Sequence, residues 1–158
     1  MKNRSLFLSI IFCALLGSGW LTPQEAIGQI QVNGGNITMS ISTAFPGSEP
    51  VAVINSLTSL RYPRENVVTK ITVRTNCTGQ NFGLSVVALA VGGGTAAPQV
   101  VLINGMPDTD FITGIPGRPP GGFMTATLQY TATATFAQGN STELGDDVHT
   151  VTYTLIAQ

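Results

Sequence analysis

Two acidic clusters carry the side chains with the clearest potential for chemistry in this sequence. Asp108 and Asp110 flank a threonine, and Asp146 and Asp147 follow Glu143 in a second acidic stretch. Both clusters fall in predicted loops, and loop carboxylates are ligands that calcium prefers. The sequence therefore singles out Asp108, Asp110, Asp146 and Asp147 as candidate calcium ligands, with solvated turn carboxylates as the alternative interpretation.

Cys77 and His149 are the other residues with reactive side chains. Cys77 is the single cysteine after residue 28, so it has no disulfide partner within an exported chain. We interpret it as a small buried apolar residue, with an intermolecular disulfide as the alternative. Nothing in the sequence connects it to His149, which we expect at an exposed strand edge. One cysteine and one histidine do not complete a tetrahedral zinc site, so no zinc site is predicted.

The sequence contains no recognisable catalytic or cofactor motif. No G-x-S-x-G elbow supplies a serine nucleophile that His149 could activate. The glycine run at residues 92–94 is not followed by the lysine and hydroxyl residue of a phosphate-binding loop, and we interpret it as a flexible turn. We therefore predict no catalytic residue, no cofactor and no enzymatic activity.

The first 28 residues have the features of an export signal. Lys2 and Arg4 precede an apolar run at residues 6–16, which is shorter than the about 20 residues that a membrane span needs. Ala26 and Gly28 place small residues where a signal peptidase reads them. We predict a signal peptide at residues 1–28 and one domain at residues 29–158, with a retained membrane anchor as the alternative.

Two-residue periodicity predicts strands throughout residues 29–158. The clearest case is residues 123–136, where apolar residues alternate with threonine and glutamine, as in a half-buried strand. We expect this long strand to bend or to carry a bulge. Further strands are predicted at residues 37–42, 51–60, 69–74, 84–91, 100–103 and 151–155, of which 84–91 and 100–103 are expected to be central. Residues 114–122 are predicted to be a surface loop.

The predicted fold class is all-β, an immunoglobulin-like β-sandwich of about seven or eight strands. Residues 30–39 also alternate and would lie at a free end after processing. Such a segment can pair with its own sheet or with the sheet edge of a neighbouring molecule, and both alternatives are open at this point.

Low charge limits the partners of the domain. Charged residues make up 9% of the chain, and residues 29–158 carry five basic and seven acidic side chains, against roughly 25% charged residues in an average protein. The few basic residues do not form a nucleic-acid footprint, so no nucleic-acid partner is expected. A surface of threonine, serine, asparagine and glycine suits packing against copies of the same chain or against another surface protein.

Several short motifs occur in a fixed order, at residues 41–43 with 46–50, 70–72, 111–115, 128–136 and 150–155. Their order resembles that of a loose group of uncharacterised secreted bacterial β-sandwich proteins. More distantly, residues 73–77 and the threonine-rich segments near the C terminus resemble pilin and spore coat protein U-like domains. Those families usually pair two cysteines, whereas Cys77 is alone here. The resemblance implies a structural protein of a cell surface or fibre and carries over no functional residue.

We therefore expect an exported, non-enzymatic structural or surface protein that self-assembles through its sheet edges, as pilins and matrix proteins do. The alternative is an extracellular binding or adhesion module that recognises a glycan or surface partner through loops at one end of the sandwich. The expected location is secreted, extracellular or at the cell surface, with the periplasm as the other possibility. No stable membrane span is expected once the signal is removed.

Overall fold

The computed structural model of the chain describes residues 29–117, 122–139 and 141–158. Within these ranges lie nine strands, which are β1 (Gln31–Asn33), β2 (Val53–Pro63), β3 (Thr69–Asn76), β4 (Gly83–Leu89), β5 (Thr95–Ala96), β6 (Val100–Leu102), β7 (Thr109–Ile115), β8 (Phe123–Thr133) and β9 (Thr150–Ala157). A 3-10 turn at Phe136–Gln138 and a one-turn helix α1 (Ser141–Leu144) separate β8 from β9. Neither has the length or the apolar character of a membrane-spanning helix. The predicted signal peptide, residues 1–28, lies outside the described residues.

The strands form two antiparallel sheets, one with the order β1-β2-β8-β4-β6 and the other with the order β5-β7-β3-β9. Successive strands from β2 to β9 alternate between the sheets. Three pairs are nested along the chain, namely β2 with β8, β3 with β7 and β4 with β6. The predicted all-β sandwich of two antiparallel sheets is confirmed. The described residues contain nine strands, because β1, β5 and β7 were not among the predicted strands, whereas the strand predicted at residues 37–42 does not form.

The core lies between the two sheets and is built from alternate residues of each strand. In β8, Met124, Ala126, Leu128 and Tyr130 are buried, as the two-residue period predicts. The largest side chains with no more than a trace of exposure are Tyr62, Phe111, Leu60, Ile71, Leu102, Ile112 and Ile115. They come from both sheets, so the two inner faces share one hydrophobic core.

The bulge expected in the long strand β8 is absent, because its register with β4 is unbroken, and the irregularity lies on its neighbour β2. The β2/β8 register shifts between Asn55 and Thr58, so that one extra residue bulges from β2. The Leu57 amide donates to the Asn55 side-chain oxygen at 3.0 Å, which satisfies one backbone group that leaves the ladder. The predicted bulge therefore exists at this sheet position but belongs to the partner strand.

The segment at residues 30–39 pairs with its own sheet, through β1. Gln31 lies opposite Arg61 and Asn33 opposite Ser59, both in β2. Gly34 and Gly35 then adopt φ values of 111° and 66°, which turn the chain out of the ladder. The strand predicted at residues 37–42 is therefore absent. Its apolar residues Ile37 and Met39 still pack on the core, so their alternation reflects burial of an extended segment and not strand pairing.

Two further predictions about strand position were wrong. Residues 100–103 were expected to form a central strand, but β6 is the edge strand beside β4. Residues 114 and 115 were assigned to a loop, but both belong to β7, where Ile115 is buried. The loop was predicted because of the glycine at position 114. Gly114 does have a positive φ of 62°, but the strand continues through it to Ile115.

The glycine run at residues 92–94 packs closely against its neighbours. The Tyr62 hydroxyl donates to the Gly93 carbonyl at 3.1 Å. Gly94 has a φ of 91°, and a Cβ atom there would lie 2.7 Å from the Thr113 carbonyl oxygen. The run was predicted to be a flexible turn, and glycine is instead required here by close approach and by backbone conformation.

A hydrogen bond inside the core links the two sheets. The hydroxyl oxygens of Tyr130 in β8 and Tyr153 in β9 are 2.8 Å apart. Burial raises the pKa of both hydroxyls, that of Tyr153 most strongly. Both groups therefore remain protonated at neutral pH, and each is the other's hydrogen-bond partner.

Removing one hydroxyl of this pair is expected to destabilise the fold. Tyr130→Phe should lower the free energy of unfolding by about 1–3 kcal/mol, because the Tyr153 hydroxyl is left buried without a partner. The double variant Y130F/Y153F should lose less than the sum of the single losses, since both polar groups leave the core together. Urea denaturation of the four proteins measures this coupling, and strictly additive losses would contradict it.

Candidate functional site

The first acidic cluster lies on the outer face of the β7/β3 pair and is engaged in ion pairs. Asp110 lies 2.7 Å from the Lys70 ammonium, and Asp108 lies 3.8 Å from the Arg74 guanidinium. These side chains are half-exposed, and exposed ion pairs of this kind contribute little to stability. The candidate calcium ligands Asp108 and Asp110 therefore face cations of the neighbouring strand.

The second acidic cluster precedes β9, and its two aspartates differ in role. Asp146 is exposed, whereas Asp147 is half-buried. Both Asp147 carboxylate oxygens accept from the Asn81 amide at 3.0 Å, and one accepts from the Phe82 amide at 2.7 Å. Asp147 thus anchors the loop between β3 and β4, a role that the sequence did not predict.

Strand register brings Cys77 next to His149. Asn76 lies opposite Thr150 at the end of the β3/β9 ladder, so Cys77 and His149 are opposite each other one position further on. With Asp147 they form what we term the corner cluster, whose ligand-type atoms all lie within 4.8 Å of one another. In the described ranges, no other group of three or more His, Cys, Asp or Glu side chains is gathered in this way. No sequence motif connects Cys77 with His149, whereas the fold places them side by side.

Neighbouring polar groups hold each member of the corner cluster. The His149 Nδ1 lies 3.1 Å from the Thr75 hydroxyl, which fixes the orientation of the ring. The Cys77 amide donates to the Asn104 side-chain oxygen at 2.9 Å. Gln80 completes the network, because its side chain donates to the Leu102 carbonyl and accepts from the Asn104 amide. The corner cluster therefore lies on loops that are cross-linked to each other.

Burial sets the protonation state of the cluster. It raises the pKa of the Cys77 thiol, and the Asp147 carboxylate raises it further, against an opposing contribution from the Val148 backbone. Burial also lowers the pKa of His149, although Asp147 acts in the opposite direction. At neutral pH the thiol is therefore protonated and the imidazole is neutral.

These protonation states decide between two kinds of chemistry. A nucleophilic cysteine needs a lowered thiol pKa and access to substrate, but the Cys77 thiol has a raised pKa and Cys77 is only 1% exposed. Asp147 contacts backbone amides of the β3–β4 loop, so no Asp–His contact orients His149 as in a catalytic triad. Sulfur, nitrogen and oxygen donors in one cluster are instead the set that a transition-metal ion uses.

The expectation that Cys77 is a small buried residue agrees with its position. It is a free thiol, 1% exposed, so in this fold its sulfur is not presented to a second molecule. His149 was expected at an exposed strand edge, and it does lie next to the first residue of β9, but half-buried.

A separate feature of the same region is the open edge of β9. The Gln158 amide donates to the Val68 carbonyl, so residues of even number from 150 to 158 direct their backbone groups toward β3. Val151, Tyr153 and Leu155 therefore direct their N–H and C=O groups to the opposite side, where no described residue makes a backbone hydrogen bond to them. We refer to this side of the strand as the β9 edge.

The β9 edge lacks the features that usually protect an outer strand. It is eight residues long, with no charged residue and no proline, and its register with β3 is unbroken from Thr150 to Ala157. The other outer strands, β1, β5 and β6, are only two or three residues long. Long, flat and uncharged edges are the ones that accept another strand.

Comparison with known proteins gives no relative for this chain. No family model matches it, and neither does any curated protein or solved structure.

Proposed function

We propose that this chain is an exported, non-enzymatic surface protein whose copies associate through the β9 edge. The observation that carries the proposal is an eight-residue outer strand without charge, proline or bulge. Addition of a strand to such an edge satisfies backbone groups that are otherwise left to water.

The sequence of β9 is compatible with pairing to a second copy of itself. In an antiparallel pair with Tyr153 on the two-fold axis, Val151 faces Leu155 of the second copy and Thr152 faces Thr154. About six backbone hydrogen bonds then form, because Val151, Tyr153 and Leu155 of each chain all point to the edge. The facing side chains, which include Tyr153 opposite its own copy, carry no charge, so the pairing meets no like-charge repulsion. Such a contact would join two four-stranded sheets into one of eight strands.

One end of β9 adds apolar surface to this contact. Val148, two residues before the strand, is 77% exposed. Val68 is also exposed but lies on the β3 side of the strand, where its carbonyl accepts from the Gln158 amide, so Val148 is the apolar side chain available to this contact. An apolar side chain at the end of an open edge favours association, since burying it removes apolar area from water.

The extracellular part of the proposal rests on the sequence. Residues 1–28 have the pattern of an export signal, and the outer face of β8 carries Thr125, Thr127 and Thr131 with few charges nearby. The core between the sheets is formed by packed side chains of both sheets, which is compatible with a structural role.

One observation favours the alternative function, a binding module. The Phe136 amide donates to Glu49 at 2.7 Å, which joins the loop around Phe45 to the turn after β8. Phe45 and Phe136 are both exposed, and exposed aromatic rings are common in glycan and protein recognition. This function would use the joined loops and would not need the β9 edge.

Sedimentation of the chain purified from an exporting host tests the proposal. We expect N-terminal sequencing to find Gln29 and the molecular mass to rise with concentration. Thr154→Lys adds a charge at the edge, and Val151→Pro removes an edge donor while sparing the bonds to β3. Each should weaken association by about 100-fold or more, the equivalent of about 3 kcal/mol.

Thr95→Lys is the matched control, because it adds the same charge to the exposed strand β5 at the other edge of the same sheet. It should leave association unchanged. Equal effects of Thr95→Lys and Thr154→Lys would overturn the assignment to β9. A chain that stays monomeric at every concentration and binds glycans saturably would support the binding module instead.

A further inference from the structure

We propose that the corner cluster is a binding site for a divalent transition-metal ion of the zinc type. The site consists of the Cys77 sulfur, an imidazole nitrogen of His149 and a carboxylate oxygen of Asp147. It lies where the β3/β9 ladder ends, and it is independent of whether copies associate through the β9 edge.

The donor set selects the class of metal. Thiolate and imidazole are the ligands of zinc and similar borderline ions, whereas calcium and magnesium are bound by oxygen atoms alone. Three protein ligands leave one position of a tetrahedral ion for water. Of the residues considered as calcium ligands, only Asp147 belongs to this cluster.

The distances between the donor atoms are close to those of a metal site. Bond lengths of 2.0–2.3 Å to zinc place tetrahedral ligand atoms about 3.5 Å apart. The three donor atoms lie within 4.8 Å of one another, so they need to approach by about 1 Å, which small side-chain rotations supply.

The supporting hydrogen bonds are of the kind that orients metal ligands. The Thr75 hydroxyl contacts His149 Nδ1 at 3.1 Å, and two backbone amides hold the Asp147 carboxylate. Asn104 fixes the backbone at Cys77. Groups that hold a ligand in this way reduce the ordering needed on binding and increase metal affinity.

The charges balance when the ion is bound. Zinc enters as a dication, the Cys77 thiol releases its proton to solvent, and a metal–sulfur bond forms with no change in oxidation state. One thiolate and one carboxylate then neutralise the ion, while the imidazole stays neutral. A neutral site is favourable here because Cys77 is buried and His149 is half-buried.

Binding of the ion would connect two segments of the chain, the β3–β4 loop and the segment before β9. Cys77 follows β3, and Asp147 and His149 precede β9, while Asp147 also holds the β3–β4 loop through Asn81 and Phe82. The ion would therefore fasten the start of β9 to β3, in the way that structural zinc stabilises small domains.

Titration of the metal-free chain with cobalt(II), followed by displacement with zinc, tests the site. A cysteine-ligated tetrahedral cobalt ion gives a sulfur-to-metal charge-transfer band and intense visible bands, so the readout does not depend on any activity. We expect both bands in the wild-type chain, their loss on zinc addition, and a higher melting temperature with either metal.

Variants assign the bands to the cluster. Cys77→Ser should abolish the charge-transfer band and weaken zinc binding by about 100-fold or more, and His149→Gln should weaken binding at least about tenfold. Asp146→Asn is the control: it removes one negative charge at the exposed position next to Asp147, and it should leave metal binding unchanged. Circular dichroism identifies any variant that has not folded. If Cys77→Ser does not fold, His149→Gln, which keeps a polar side chain of similar size, still tests the site.

Two results would overturn the proposal. One is the absence of a charge-transfer band in the folded wild-type chain at saturating cobalt. The other is zinc affinity that is the same in the wild type, Cys77→Ser and His149→Gln, which would place the ion elsewhere on the molecule.

Discussion

Replacing Phe111 by alanine is expected to lower the free energy of unfolding by about 3–5 kcal/mol, the range observed for large aromatic residues removed from cores. Phe111 in β7 is fully buried, and its ring lies 5.3 Å from the Tyr153 ring at an angle of 47°. The variant loses this contact and leaves a cavity beside the tyrosine pair that links the sheets. Because small domains are stable by only about 5–15 kcal/mol, the melting temperature should fall by about 10 °C or more.

Phe123→Ala is the matched control for this variant. Phe123 is 49% exposed and lies under the Arg61 guanidinium, 3.3 Å from the ring centre. An exposed cation–π contact contributes about 0.5–1 kcal/mol, so this loss should be several-fold smaller. Guanidinium unfolding of both variants makes the comparison, and equal losses would mean that Phe111 does not fill the centre of the core.

Asp147→Ala should also be strongly destabilising, by about 2–3 kcal/mol in metal-free protein. The Asn81 and Phe82 amides both donate to this carboxylate, and hydrogen bonds to a charged group contribute more than neutral ones. Without it, two amides of the β3–β4 loop lose their acceptor. Amide hydrogen exchange should therefore accelerate first at Asn81 and Phe82, while the centre of β8 stays protected.

The neighbouring residue provides the control. Asp146 is exposed, so Asp146→Ala should change stability by less than about 0.5 kcal/mol. If the two alanine variants have the same stability, the hydrogen bonds of Asp147 to the loop do not stabilise the fold. Measurement in the presence of a chelator keeps this prediction separate from the proposed metal site.

Periodicity in the sequence predicts the architecture well because burial follows it directly. Residues 123–133 alternate without interruption, and β8 is a central strand whose Leu128 side chain is fully buried. The same periodicity does not predict a strand correctly where an extended segment is buried but is not hydrogen-bonded into a sheet. Ile37 and Met39 alternate and pack on the core, yet Gly34 and Gly35 have already turned that segment away from the sheet.

The strand β7 was missed for a related reason. Its sequence contains Gly114 and follows Pro107 and Asp108, which are turn-forming residues, and only residues 111–115 stood out as a motif. Tertiary packing of Phe111 and Ile112 between the sheets outweighs that local preference.

The corner cluster depends on strand register, which composition and periodicity do not encode. The strands before Cys77 and after His149 were both predicted, at residues 69–74 and 151–155. Pairing them antiparallel, with Asn76 opposite Thr150, would have placed Cys77 beside His149. The role of Asp147 had no such signal, because its partners are backbone amides about 65 residues away in the chain.

The nested strand order has a consequence for how the chain reaches its native state. Pro63 pairs with Phe123 and Val53 with Ala132, so β2 has only the three residues of β1 as a partner until residues 123–132 are available. Domains dominated by such distant pairings fold slowly, in milliseconds to seconds. During synthesis most of β2 would therefore remain unpaired until β8 is available, and this is the stage at which aggregation competes with folding.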